Sequence, residues 1–180
     1  MLAGGTESIR AQIEKNQAAC GDDRKDYFEA MKISLDALEV LADRYAALAE
    51  EKEAAASGEA KERYRLMKDT LKKVPRHGAD DLFEAIQSFI LIWQTMCLEQ
   101  TPNPFAFSVG NADRIFEPYR AKTNMSREVA ASLFKHLLVF FNVADRSWAI
   151  YQNLIIGVKS NEGEDLTNPT SYALLDAYYD

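Results

Sequence analysis

The sequence has few of the residue types that build disulfide frameworks and metal centres. Its 180 residues include only two cysteines and two histidines. Cys20 and Cys97 lie in no CxxC or other metal-ligand spacing, and neither His77 nor His136 belongs to an HxxxH, HxH or HxxE pattern. Disulfide-rich secreted scaffolds, zinc sites and histidine-based triads are therefore not indicated. We expect reduced cysteines, a cytoplasmic protein and no metal ion bound by this chain.

Long apolar runs and an excess of basic residues are also missing. No uninterrupted apolar run is longer than that of Phe89 to Trp93, whereas a membrane-spanning helix needs about 20 residues. Residues 1–15 show no apolar segment flanked by basic residues, so a signal peptide is not indicated. The chain carries 28 acidic and 21 basic side chains, a net charge of −7. Nucleic acids and anionic membranes require basic patches, so we expect a soluble protein that binds neither.

The sequence does contain strong helical periodicity. With 47% hydrophobic residues, the chain is long enough to form a domain with a hydrophobic core. Apolar side chains recur every three or four positions, which predicts helices over residues 25–54, 59–72, 81–98 and 127–143, and another from residue 169. A polar lead-in over residues 1–24 permits one short helix. Asp81, Ser126 and Asn168 are the expected N-caps.

Two strands are predicted in the second half of the chain. The first covers Phe105 to Val109 and ends at Gly110-Asn111, and the second covers Trp148 to Val158. Residues 111–120 are expected to form a helical turn that is broken before Pro118. The fold class is therefore mainly α with a few β strands, with a helical part over 25–100 and a strand and helix part over 101–180.

Two of the predicted helices are unusually apolar. The helix over 81–98 is apolar nearly all round, and the helix over 127–143 is similar. A helix of this kind is buried on all faces, so we expect it to lie between two layers or against something outside this chain. The last helix remains apolar up to Tyr178 without a Gly, Pro or basic cap, and we expect it to be cut rather than finished.

The residues alone show no active site. A charged cluster of Asp113, Arg114, Glu117 and Arg120 follows the first predicted strand. Charged residues at strand ends often face a cleft, so this cluster is a candidate functional rim, and a set of surface ion pairs is the alternative.

The two cysteines are also weak candidates for catalysis. Cys97 lies in the apolar helix over 81–98, which indicates a small core residue rather than a catalytic thiol. Cys20 lies in a polar segment and is expected to be exposed.

Three stretches together resemble the pyruvate formate-lyase-like domain of glycyl radical enzymes. Residues 74–87, VPRHGADDLFEAIQ, are similar to the family segment VP…A..F.EALQ. Residues 107–119, FSVGNADRIFEPY, are similar to S.GR.DQ..YPYY, and a helix matching residues 125–138 follows. Residues 156–177 contain DLTN, SY and LLDA, as in the family pattern GG…G.D.TN.LSYL.LDA. Order and spacing agree, and the resemblance covers roughly residues 25–180.

The chain departs from the family pattern at three positions. Asn111 stands where the family usually has Arg, Arg114 where it has Gln, and Val158 where it has the second Gly of a pair. If this stretch touches a substrate cleft, we expect the contact to lie near Asn111, Asp113 and Arg114.

The resemblance implies a large lyase of anaerobic metabolism that is built on a ten-stranded α/β barrel. Such enzymes break C–C, C–O or C–N bonds, using a glycyl radical and a thiyl-forming cysteine. A separate activating enzyme with an iron–sulfur cluster and S-adenosylmethionine installs the radical, and the full enzyme is expected to be a homodimer. The sequence has no RV.G[FYW] motif, and neither Cys20 nor Cys97 falls at the family's cysteine position. We therefore expect a segment of such an enzyme, with no catalytic residue of its own and no activity alone.

Two other interpretations remain open at this point. One is a stand-alone structural or interaction module of the same ancestry, whose apolar helix faces are covered by self-association. The other is an unrelated helical protein, which would be supported if the two predicted strands were not neighbours in one sheet.

Overall fold

The computed structural model of the chain describes residues 1–20, 24–99, 108–143 and 153–179. The helices are α1 (Gly5–Ala19), α2 (Lys25–Ala55), α3 (Gly58–Lys73), α4 (Leu82–Glu99), α5 (Ala112–Lys122), α6 (Arg127–Val143) and α7 (Pro169–Tyr179). The strands are β1 (Gly110–Asn111) and β2 (Leu154–Ile155). The chain divides into two compact units, Met1–Ala79 with Gln87–Ile92, and Asp80–Ile86 with Trp93–Asp180. No described helix has both the length and the apolar character that crossing a membrane requires.

The first unit is built around α2. Its buried residues recur every three or four positions and place small side chains among large ones: Phe28, Leu35, Leu38, Ala42, Ala46 and Ala49. Leu38, Ala42 and Ala46 form one core cluster with Leu71 of α3 and Leu91. The small alanines let a neighbouring element approach closely, and the predicted helices over 25–54 and 59–72 are confirmed to within about one residue.

The lead-in residues belong to this first unit. Ile13 of α1 is buried in a cluster with Phe28 and Leu35 of α2. Backbone bonds also tie the start of the chain to the turn after α3, since the Thr6 amide donates to the Pro75 carbonyl at 2.8 Å and the Ala79 amide to the Leu2 carbonyl at 2.9 Å. The short helix predicted there is confirmed, whereas the division at residue 24 stays a prediction.

The second unit contains a parallel pair of strands. Gly110 of β1 pairs with Leu154 of β2, and Asn111 pairs with Ile155. Parallel strands need a long crossover, which α5 and α6 supply. Strands that are not neighbours would have supported the interpretation as an unrelated protein, whereas these two are adjacent.

The predicted strand boundaries were wrong within the described residues. Ser108 and Val109 are not in a strand, and β1 consists of the Gly110–Asn111 pair that was expected to end it. Leu154–Ile155 is the paired part of residues 153–158. Pairing with the partner strand, not β propensity, decides which residues form the ladder. The remaining parts of both predictions, 105–107 and 148–152, lie outside the described residues.

The predicted break before Pro118 was also wrong. Pro118 lies inside α5, which continues to Lys122. An internal proline removes one backbone hydrogen bond, and tertiary packing offsets that loss. Phe116 contributes to this packing, because it is fully buried and its ring centroid lies 5.6 Å from that of Phe134 in α6.

The two apolar helices are buried along only part of their length. Leu82, Leu91 and Trp93 of α4 are buried, while Met96 and Leu98 near its end are exposed. In α6, Phe134 and Leu137 are fully buried, but Val129 and Val139 are exposed. Within the described residues, these helices are therefore not covered on all faces, and apolar surface stays open on both. The other expected arrangement, in which the open faces lie against something outside this chain, stays a prediction.

The predicted caps of these helices are present. The Glu84 amide donates to Oδ1 of Asp81 at 2.8 Å, and Oε2 of Glu84 accepts from the Asp80 amide at 2.6 Å. The Val129 amide donates to Oγ of Ser126 at 3.3 Å. Both helix starts thus follow from local side-chain chemistry.

Candidate functional site

Asp113 lies at the point where three elements of the second unit meet. It is the second residue of α5, directly after β1, and is fully buried. Its Oδ2 accepts a hydrogen bond from the Gly157 amide at 2.8 Å, just beyond β2, and another from the Ser171 hydroxyl of α7 at 2.6 Å. Its Oδ1 accepts from the Arg114 amide at 2.8 Å. One buried carboxylate therefore joins α5, the end of β2 and the start of α7.

Glu117 makes a second link between α5 and α7, one turn further along. Its Oε2 accepts from the Thr170 hydroxyl at 2.7 Å and the Thr170 amide at 3.2 Å. Arg120 donates to both Glu117 oxygens, at 2.7 and 2.8 Å. The guanidinium of Arg120, helped by Thr170, lowers the pKa of Glu117 against the opposing effect of burial. The pair is an i,i+3 pair within α5, largely shielded from solvent.

The first turn of α7 donates hydrogen bonds to both carboxylates and also has an N-cap of its own. Oδ1 of Asn168 accepts from the amides of Thr170 and Ser171 at 3.0 and 3.3 Å, and Oγ of Ser171 accepts from the Asn168 amide at 3.0 Å. The predicted N-cap is confirmed. Negative groups are favourable at a helix N-terminus, where the first amides have no partner within the helix. Asp113 and Glu117 therefore stabilise the start of α7.

We name this network the α5–α7 junction and define it by six residues: Asp113, Glu117, Arg120, Gly157, Thr170 and Ser171. Its charged residues were predicted to form the rim of a functional cleft or, alternatively, a set of surface ion pairs. The structure instead shows a mostly buried polar junction, because α7 covers that face of α5. Sequence reasoning missed Gly157, Thr170 and Ser171. The available signal was the i,i+4 spacing of Asp113 and Glu117, which puts both carboxylates on one helix face.

The three predicted cleft residues are placed differently from one another. Asn111 is half-buried in β1, Asp113 is buried in the junction and Arg114 is exposed. All three lie at the carboxyl end of β1, next to the carboxyl end of β2. Ligands of parallel α/β sheets bind outside this end of the strands. Contact with a substrate stays a prediction, and the geometry favours Asn111 and Arg114 for it.

The cysteines show no sign of activation. Cys97 is half-buried, and burial raises the pKa of its thiol, which disfavours the reactive thiolate. Cys20 was expected to be exposed. It is half-buried, because it packs against the cluster of Ile13, Phe28 and Leu35.

The histidines lie at the surface of the described part of the chain. His77 is exposed with Nδ1 3.0 Å from Oε2 of Glu7, and His136 on α6 is exposed. Among the described residues, no group of three or more His, Cys, Asp or Glu side chains could hold a metal ion.

The chain as a whole matches one enzyme family. A family model described as pyruvate formate lyase-like matches residues 1–180. The chain belongs to this family. The match includes residues 1–24, in addition to the stretch from residue 25 onward that carries the resemblance in sequence.

Solved structures of glycyl radical enzymes share the fold. One, from work on 1,2-propanediol dehydration in Roseburia inulinivorans, is 28% identical, with a TM-score of 0.87 over 98% of this chain and 25% of that one. The B12-independent glycerol dehydratase of Clostridium butyricum is 24% identical, with a TM-score of 0.89 over the same shares. A glycyl radical enzyme of Archaeoglobus fulgidus is 25% identical, with a TM-score of 0.81 over 95% of this chain and 24% of that one.

The chain therefore spans about a quarter of the length of the structures it matches. It corresponds to a segment of the glycyl radical enzyme barrel, and the predicted family and fold class are confirmed.

Proposed function

We propose that this chain forms part of the barrel of a glycyl radical lyase that breaks a C–C, C–O or C–N bond, with the carboxyl ends of β1 and β2 at the edge of the substrate cleft. The observation that carries the proposal is the parallel pair, in which Asn111 and Ile155 are partners. Asp113, buried directly behind this edge, holds Gly157 beside it. Family membership supplies the reaction class.

The three residues at this edge have different proposed roles. The exposed guanidinium of Arg114 and the half-buried amide of Asn111 are suited to hydrogen bonding a polar substrate. Asp113 is a positioning residue, since both of its oxygens are engaged by the protein. No residue of this chain is proposed to act directly on the reacting bond.

The radical carriers are proposed to come from parts of the enzyme other than residues 1–180. Glycyl radical chemistry needs a radical glycine and a thiyl cysteine. The sequence has no RV.G[FYW] motif, and neither Cys20 nor Cys97 falls at the family's cysteine position. A separate activating enzyme with an iron–sulfur cluster and S-adenosylmethionine would install the radical. This chain alone is then inactive.

The exposed apolar helix faces are proposed to contact the remainder of the enzyme. Ile33 and Val40 of α2 are exposed and lie seven residues apart, on one face of the helix. The same surface supports the second candidate, a structural or interaction module of the same ancestry that associates with another copy. A full enzyme of this family is proposed to be a homodimer.

The experiment that separates these candidates begins with the reading frame after codon 180 in the source DNA. If a cysteine loop and a C-terminal glycine motif follow, the whole protein is expressed without oxygen together with its activating enzyme. Electron paramagnetic resonance is then expected to show a glycyl radical. A stop codon after Asp180 would instead support the interaction module and exclude radical catalysis by this product.

The cleft assignment is tested in the same full-length enzyme by Ala substitution of Asn111, Asp113 and Arg114. Losing a hydrogen bond to a charged group is expected to raise KM by about tenfold or more for Arg114→Ala. Arg63→Ala, which removes an exposed arginine of α3, is the matched control and is expected to leave KM unchanged. Unchanged kinetics in all three variants would remove the cleft assignment while leaving the family assignment intact.

A further inference from the structure

The segment between β2 and α7 forms a hairpin with its own hydrogen bonds. The Leu166 amide donates to the Val158 carbonyl at 3.0 Å, and the Ser160 amide donates to the Glu164 carbonyl at 2.9 Å. Lys159 and Asp165 form an antiparallel bridge between the two arms. We name residues 158–166 the β2–α7 hairpin. Its internal bonds define it as one local unit.

Both ends of this hairpin are fastened to the same oxygen atom. Gly157, immediately before the hairpin, donates its amide to Oδ2 of Asp113 at 2.8 Å. Ser171, beyond the other end, donates its hydroxyl to that oxygen at 2.6 Å. The same Ser171 hydroxyl oxygen accepts from the Asn168 amide at 3.0 Å, so it anchors the returning chain. The carboxylate thus closes the base of the hairpin.

The hairpin lies at the surface, whereas the residues that anchor it are buried. Asp113 and Ser171 are buried, whereas Lys159, Glu162 and Glu164 are exposed. Gly157 has a φ of +62°, a conformation that glycine adopts without steric cost. Exposed segments that rest on few anchoring bonds open locally at lower free energy than the core does.

We propose that Asp113 is the latch of a mobile flap, the β2–α7 hairpin, which moves as one unit about Gly157 and Asn168. In the latched state, the carboxylate holds the chain immediately after β2 beside the carboxyl end of β1. When the latch opens, the Gly157 amide is released while the internal bonds of the hairpin persist. Opening of the flap therefore frees the chain immediately after β2 from the carboxyl end of β1, which carries Asn111. The inference rests on the described fold and goes beyond the radical chemistry, so it can fail or hold independently of that proposal.

The test is amide hydrogen exchange measured residue by residue on the 180-residue chain. Asp113→Asn is expected to raise the exchange rate of the Gly157 amide by about tenfold or more, the effect of losing a charged acceptor. The amides of Ser160 and Leu166 are expected to keep their wild-type rates. Glu117→Gln is the matched control, because it weakens the link to Thr170 and leaves the bond between Asp113 and Gly157 in place.

Circular dichroism, which reports helix content, shows whether Asp113→Asn still folds. If it does not, a milder variant keeps the test decisive. Ser171→Ala removes the second anchor only, and it is expected to speed exchange at the Asn168 amide while Gly157 stays protected. Unchanged exchange at Gly157 in Asp113→Asn, or at Asn168 in Ser171→Ala, would overturn the latch. If amide exchange at Ser160 and Leu166 became faster by the same factor as exchange at Gly157, the hairpin would not move as one unit.

Discussion

At the scale of single residues, two glycines decide how the start of the chain meets the turn after α3. A Cβ added to Gly5 would lie 2.1 Å from the Arg76 carbonyl oxygen, and one added to Gly78 would lie 2.1 Å from the Ala3 carbonyl oxygen. These distances are far below van der Waals contact. The backbones can therefore approach closely enough for the Thr6 and Glu7 amides to bond across the gap. The sequence shows these glycines, but it does not show which chain segment lies opposite them.

Gly5→Ala is therefore expected to destabilise the chain more than Gly58→Ala. Both glycines begin a helix in the left-handed conformation, with φ values of +64° and +57°. The free-energy cost of placing alanine in this conformation is therefore alike at the two positions, about 1 kcal/mol. Gly58 has nothing within 4 Å of its added Cβ, whereas Gly5 collides with backbone. Overpacking of this kind costs about 1–3 kcal/mol more. Urea unfolding of both variants measures the difference, and equal losses of stability would contradict the close approach.

At the scale of elements, the position of α7 is set by α5 more than by its own sequence. The Asn168 cap and Pro169 start are readable locally, and both are present. The bonds from Thr170 and Ser171 to Glu117 and Asp113 join residues more than 50 positions apart. Helical spacing predicts that the two carboxylates share a face, but only the fold brings α7 onto that face.

The tie between Glu117 and α7 is expected to weaken in acid. Arg120 and Thr170 hold the pKa of Glu117 below its usual value, near 4.3 in unfolded chains. A lowered folded-state pKa stabilises the fold above the unfolded pKa, and this stabilisation is lost as pH falls through the folded value. Between pH 6 and 3, the wild-type chain should therefore lose more unfolding free energy than Glu117→Gln does.

The measurement is urea unfolding across this pH range, with Glu162→Gln as the control. Glu162 is an exposed residue of the β2–α7 hairpin, and its variant is expected to follow the wild-type curve. Wild-type and Glu117→Gln curves that run parallel would show that the junction does not depend on the charge of Glu117.

At the scale of the whole molecule, the chain leaves much apolar surface open. Large apolar side chains are exposed on α2, α4, α6 and α7, among them Ile33 at 65%, Val40 at 54%, Leu98 at 56% and Val139 at 61%. Monomeric proteins rarely expose large contiguous apolar patches. A chain that spans about a quarter of the enzymes it matches is expected to have surfaces that the rest of such an enzyme would cover.

The isolated 180-residue chain is therefore expected to self-associate as its concentration rises, despite its net charge of −7. Replacing Ile33 and Val40 together by Gln removes apolar surface from one face of α2 without changing charge, and it should weaken the association. Sedimentation velocity over a range of concentrations measures it. Glu51→Gln, at an exposed polar position of the same helix, is the control. A monomer at every concentration, or an equal effect of the control, would contradict the prediction.

The sequence by itself determined most of the helices, the N-caps of three of them and the family. Apolar periodicity and capping side chains act within a few residues, so local sequence is enough to locate α2, α3, α4, α6 and the start of α7. The family motifs were readable for the same reason, since each is a short continuous stretch. Periodicity shows that a face of α4 or α6 is apolar, but it does not show whether this chain or something outside it covers that face.

Only the tertiary structure decided the strands and the α5–α7 junction. Whether Gly110 and Asn111 form a strand depends on their pairing with Leu154 and Ile155, more than 40 residues away. The role of Asp113 likewise depends on Gly157 and Ser171, which sequence spacing does not connect. Pairing and burial are properties of groups that meet only when the chain folds, so local sequence could single out Asp113 but not the residues that it bonds.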